Sequence, residues 1–144
     1  MFSKACEYGI RAMLFITTKS IHGERTSLKA ISKEIGSPEA FTAKILQQLT
    51  KNKVLQSVKG PNGGFEVRPE DASKTKLIEI VSIIDGDQLF TGCGLGLPKC
   101  NDEKPCPLHH SFLKIRNDIQ QLLSQTSLEE LALDLDKGLS FLKR

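Results

Sequence analysis

The chain has 144 residues, a formal net charge of +3 and 39% hydrophobic residues, enough for one domain, or one domain with an appended helical arm. No apolar run approaches the ~18 residues of a membrane span, and the opening Met1-Phe2-Ser3-Lys4-Ala5-Cys6 is followed by Glu7 and Arg11 rather than a secretory core. A cytoplasmic protein is expected, its four cysteines free or metal-bound rather than paired.

Residues 3–20 read as one helix. Tyr8, Ala12 and Phe15 form a stripe, and Ile10, Met13, Leu14 and Ile16 fill most of the remaining sides, the pattern of a buried helix. Lys4, Glu7 and Arg11 share its polar side, and Cys6 reads as a small core residue. His22 and Gly23 fall in a loop and carry no assigned role. A second helix runs over 27–35, with Leu28, Ile31 and Ile35 on one face, and Gly36 ends it. Ser37-Pro38-Glu39 opens a third helix to about Asn52, with Ser37 as N-cap and Pro38 in the first helical position. Ile45, Leu46 and Leu49 face inward; Thr42, Lys44, Gln47, Gln48 and Lys51 are assigned to the other face. Two short β-prone runs then flank Pro61-Asn62-Gly63-Gly64, a hairpin signal. Helix, tight turn, helix and hairpin is the order of a winged helix-turn-helix, whose second helix enters the DNA major groove. The charge supports this: residues 1–76 hold 13 Lys+Arg against 7 Asp+Glu, while residues 77–144 hold 7 against 10.

After the hairpin, Pro69–Ser73 reads as a loop and Thr75 as the cap of a strongly apolar helix (Leu77, Ile78, Ile80, Val81, Ile83, Ile84) that Asp85-Gly86-Asp87 ends. Residues 86–107 lose all periodicity and gather three of the four cysteines. From Pro107 a long helix is expected, with Leu108, Phe112, Ile115, Ile119 and Leu122 at the steps of a heptad seam, read as a dimer helix. Ser127-Leu128-Glu129-Glu130 is a capping box for a last helix bearing Leu128, Leu131, Leu135 and Leu139, and the tail Phe141–Arg144 is expected to fray. The fold class is thus mainly α with a small β-hairpin. It divides into a winged helix-turn-helix domain (1–85), a cysteine-rich loop (86–107), and a dimerisation helix with a C-terminal helix (108–144).

Cys93, Cys100 and Cys106 are separated by six and five residues, neither the spacing of a zinc ribbon nor that of a ferredoxin. Three thiolates and a nearby His109 or His110 suit structural zinc, an iron–sulfur cluster with one non-cysteine ligand, or a thiol sensor. No nucleophile–base pair, Walker loop or dinucleotide fingerprint suggests an enzyme. An iron–sulfur electron carrier would need neither a wing nor a basic half.

Lys4–Met13, the 27–49 unit, Val58-Lys59-Gly60-Pro61-Asn62-Gly63-Gly64-Phe65 and the three-cysteine loop together resemble the IscR/NsrR group of bacterial winged-helix regulators, the Rrf-two-type family. The resemblance implies a homodimer binding a palindromic promoter operator, with an iron–sulfur cluster on three cysteines and a variable fourth ligand, whose state changes DNA affinity. The sensed signal would be iron, redox status or nitric oxide. Two departures stand out: the first cysteine gap is six rather than five, and Lys59 replaces the arginine often found before Gly-Pro. His109, one helical turn after Cys106, is the expected fourth ligand of a 2Fe-2S cluster, favoured over 4Fe-4S. Glu7, placed by resemblance where some members supply a carboxylate from the partner subunit, is the alternative and is preferred for 4Fe-4S. DNA contacts are expected from Ser37, Thr42, Lys44 and Gln47 and, on the wing, Lys59 and Asn62. The competing reading of the loop is a zinc site or thiol switch without a cluster.

Overall fold

Helix α1 (Lys4–Ile21) is the spine, and in this computed structural model, which describes residues 1–143, α2 (Leu28–Ile35), α5 (Leu77–Asp85) and α8 (Leu128–Asp136) all pack on it. Its apolar positions predict this: Met13, Ile16 and Ala12 are fully enclosed, and Cys6 lies with them. Ser3 caps α1 by accepting from the Cys6 N–H at 3.0 Å, and Asp85 Oδ2 accepts from the Ser3 N–H at 2.9 Å. Burial, reinforced by the nearby Asp85 carboxylate, pushes the Cys6 thiol up to about 12.

Helix α2 (Leu28–Ile35) is capped by Ser27, and α3 (Glu39–Lys51) follows across a turn in which Gly36 takes φ of +66°, a conformation costly for other residues. The start of α3 differs from expectation. Pro38 is the N-cap and Ser37 makes no capping bond. Thr42 is also displaced from its assigned face, because 42, 45, 46 and 49 are a single helical stripe. It is buried with Ile45, Leu46 and Leu49, and its hydroxyl lies 2.9 Å from both Pro38 O and Ser37 Oγ. Ser37 is buried as well, so both hydroxyls close the turn within the chain instead of facing outward.

Strands β1 (Gln56–Val58) and β2 (Gly64–Glu66) pair antiparallel, and a single bridge, Thr26 to Phe65, adds a third edge. Where a loop was expected, Pro69–Lys74 forms a short helix, α4: proline holds the first helical position and Arg68 bonds Asp71 at 2.9 Å. Helix α5 (Leu77–Asp85) starts one residue later than expected, with Lys76 as N-cap and its N–H on Glu79 at 2.7 Å. The Thr75 carbonyl instead accepts from the Leu128 N–H, part of a bridge joining Lys76 to Ser127.

A short α6 (Gln88–Thr91) precedes the cysteine loop. Helix α7 (His109–Gln125) begins after Pro107 rather than on it, with Leu108 as N-cap. The expected capping box holds: Ser127 and Glu130 exchange bonds at the start of α8 (Leu128–Asp136). Leu139 lies beyond that helix and is exposed. Of the tail, Lys143 reaches Glu34 at 3.2 Å, and Arg144 lies outside the described residues. Among the described residues, no helix is long and apolar enough to cross a membrane.

The heptad seam on α7 divides. Leu108, Ile115 and Leu122, seven apart, are 42%, 52% and 62% exposed, whereas Ile119 packs against the core and Phe112 is half-buried. The buried positions are His109, Arg116 and Leu123, also seven apart.

If Thr42 is a structural hydroxyl, Thr42→Val keeps the shape and leaves the Ser37 hydroxyl without its buried partner. The expected outcome is a loss of about 1–2 kcal/mol in chemical denaturation. DNA affinity of the folded variant should stay at the wild-type value.

Candidate nucleic-acid interface and cysteine loop

Helix α3 and the hairpin enclose a shallow groove lined by Leu28, Ala43, Gln47, Lys51, Ser57 and Phe65. Lys44 and Gln47 are exposed on α3, and Lys59 and Asn62 are exposed on the hairpin turn. Four of the six residues expected to contact DNA are therefore free to do so, and Ser37 and Thr42 are not. Gln48, also assigned outward, turns its side-chain amide to Ile83 O at 2.7 Å. Arg25 was not anticipated. Its Nε donates to Glu66 Oε2 at 3.1 Å and its Nη1 to Asn62 O at 3.2 Å, tying the segment before α2 to the hairpin. The only sequence signal was an arginine beside Thr26, whose one-residue pairing with Phe65 has no periodicity to reveal it.

The cysteine loop folds against the first two turns of α7. Gly94 makes this approach possible, since a Cβ there would lie 2.5 Å from the Phe112 ring. Cys93, Cys100, Cys106 and His109 line one small pocket with Lys99 and Lys104 at its edge. The N–H groups of Leu95 and, next, Leu97 hold the Cys93 thiol below its usual range. Cys100 Sγ and His109 Nδ1 lie 3.2 Å apart. His109 Nε2 faces Asp102 Oδ1 at 2.7 Å, so the carboxylate holds the proton on Nε2 and leaves the Nδ1 lone pair toward the sulfur. His110 is exposed and stacks edge-on against His109, ring centroids 5.0 Å apart.

Arg116, two helical turns beyond His109, reaches the loop beside the pocket. It is 8% exposed, donates through Nη1 to Gly92 O and lies 3.4 Å through Nη2 from Cys100 Sγ, while Nε has no partner. Sequence reading missed it, because an arginine within a polar helical stretch carries no mark of burial. Glu7 stands apart on α1, half exposed and paired with Lys4 at 3.3 Å.

The donor types fit a cluster: three sulfurs and an imidazole with a free lone pair share one pocket, with an unsatisfied buried cationic nitrogen beside it. Among the described residues no three of the His, Cys, Asp or Glu side chains are gathered as a single ion would require.

Residues 2–134 match the family Rrf2, described as iron-dependent transcriptional regulators. The chain is 31% identical over 124 residues to the HTH-type transcriptional regulator IscR of Photorhabdus laumondii, covering 86% of this chain and 74% of that one. Its fold is shared by CymR, the global cysteine regulator of B. subtilis, at a TM-score of 0.75 and 20% identity over 92% of this chain and 96% of that one. T. potens IscR superposes with the same TM-score, 0.75, at 18% identity, covering 99% of this chain and 93% of the other. With its winged fold and its groove between α3 and the hairpin, the chain belongs to the Rrf2 family of DNA-binding transcriptional regulators, which are not enzymes.

Proposed function

We propose that this protein is a cytoplasmic, homodimeric regulator that reads a palindromic operator and senses iron, redox state or nitric oxide through an iron–sulfur cluster held by Cys93, Cys100, Cys106 and His109. The observation that carries this is the donor set: Cys93, Cys100, Cys106 and His109 line one pocket. Three sulfurs and one imidazole are a ligand set for an iron–sulfur cluster with one non-cysteine ligand, and a histidine among cysteines favours 2Fe-2S over 4Fe-4S and zinc. When bound, the cluster supplies a redox-active, chemically labile link within the loop. The chain's own part is to present the ligands. Asp102 fixes the imidazole tautomer, Gly94 seats the loop on Phe112, and the Leu95 and Leu97 N–H groups favour Cys93 as thiolate.

In this reading residues 1–85 bind DNA, 86–107 sense, and 108–144 join two chains. Lys44 and Gln47 approach bases or phosphates in the major groove, and Lys59 and Asn62 serve the wing. The outward stripe Leu108, Ile115 and Leu122 supplies the dimer contact, because three large apolar side chains in a row are left in water by a single chain. Through α7, the loop and that contact share one rigid element.

A second reading has an observation of its own. Cys100, His109 and Asp102 stand in the order thiol, base and orienting carboxylate, the arrangement that activates a thiol. A thiol switch without metal would use it. Metal analysis of anaerobically purified protein separates the two. Iron with acid-labile sulfide supports the cluster, stoichiometric zinc overturns it, and no metal with a readily oxidised Cys100 selects the switch.

Single substitutions test the parts. Lys59→Ala should weaken binding to every sequence and lower the slope of log affinity against log salt by about one; an unchanged slope removes the wing contact. Ile115→Asp should give a monomer by light scattering at little cost in folding, since the side chain is already half exposed. His109→Ala should change the visible spectrum and shorten cluster lifetime, while Glu7→Ala leaves both. The reverse pattern moves the fourth ligand to Glu7 of the other subunit, and His110→Ala is the neutral control.

A further inference from the structure

We propose that Arg116 is the counter-charge of the cysteine loop: it offsets the negative charge of the sulfur cage and holds the reduction potential of the cluster up. The proposal rests on the cluster reading above.

The argument begins with a cost. A guanidinium keeps its charge at any physiological pH, and burying it without an anion is unfavourable. Arg116 is buried, yet among the described residues no carboxylate pairs with it. Its neighbours are a main-chain carbonyl, which offers only a dipole, and the Cys100 sulfur. Nε is left with nothing. With neutral thiols the cation is therefore poorly compensated, and with thiolates it has the partner its burial demands.

Position supports the same assignment. Arg116 lies seven residues after His109, so both project from one face of α7. Its two terminal nitrogens touch Gly92, the residue before Cys93, and Cys100 itself, which spans the loop from its first sulfur to its second. Lys99 and Lys104 also border the pocket, but both are exposed, and water and salt screen their charges. Arg116 is the cation whose field reaches the sulfurs largely unscreened.

The sign follows from charge. Three thiolates and a neutral imidazole around a core of charge plus two leave one net negative charge, and one-electron reduction leaves two. A fixed cation stabilises the second state more than the first, so it raises the potential. Removing it should favour the oxidised cluster and loosen its hold on the loop.

The test uses the full-length protein, reconstituted anaerobically with iron and sulfide, with the potential followed by visible absorption. Arg116→Met and Arg116→Gln should shift the midpoint to more negative potential and lose cluster several-fold faster than wild type. Arg116→Lys restores charge without the fork and should return the midpoint toward wild type. Circular dichroism of the cluster-free variants checks folding. If the Met variant does not fold, Gln and Lys carry the comparison, being both polar and differing in charge. Equal midpoints in wild type, Gln and Lys variants would overturn the role of Arg116 while leaving the cluster reading intact. A wild-type protein that takes up no iron and sulfide overturns the cluster reading, and this proposal with it.

Discussion

Burial of α1 is the constraint on which the rest depends. An 18-residue helix apolar on most of its circumference has to be covered on several sides, and α2, α5 and α8 each cover one. Enclosing Met13, Ile16 and their neighbours contributes about 1.5–3 kcal/mol for each large side chain. This packing fixes two remote surfaces at once. Helix α2 leads into α3 and the hairpin, while α5 receives α7 and with it the cysteine loop. Helix α1 is thus the element through which the reading unit and the cysteine loop are joined.

The C-terminal portion is tied into this body rather than appended to it. The Lys76–Ser127 bridge and the packing of α8 on α1 bring chain that is distant in sequence back to the winged unit. Among the described residues, Leu108, Ile115 and Leu122 on one stripe of α7 stay exposed. The heptad spacing in the sequence is real but composite: 112 and 119 serve the chain's own interior, and 108, 115 and 122 face out. Periodicity shows that a face is apolar and does not say what covers it.

The same limit explains which other features were legible. Helix positions, the glycine turn after α2, the hairpin and the Ser127 capping box follow from local rules, and each was readable. Thr42 was misassigned because it was judged by its hydroxyl, although its place in the 42–49 stripe already pointed inward. The helical Pro69–Lys74 segment has proline in its first position and Glu70 and Asp71 in its first turn, signals outweighed in the reading by its shortness. In the loop, the cysteines and His109 are candidates by type and spacing, and the structure places all four on one pocket. Asp102 and Arg116 did not, because a supporting role is defined by what a side chain touches in three dimensions. Arg25 was hidden for the same reason.

Cys6 gives the molecule a property unrelated to regulation. Burial and the Asp85 carboxylate push its thiol up to about 12, which disfavours the reactive thiolate at neutral pH, and the side chain is wholly enclosed. An alkylating reagent therefore meets three sulfurs in the native chain and four in the denatured one. The mass of the labelled product separates two events that spectroscopy blends: the first three adducts time the exposure of the loop, and the fourth times the opening of the core.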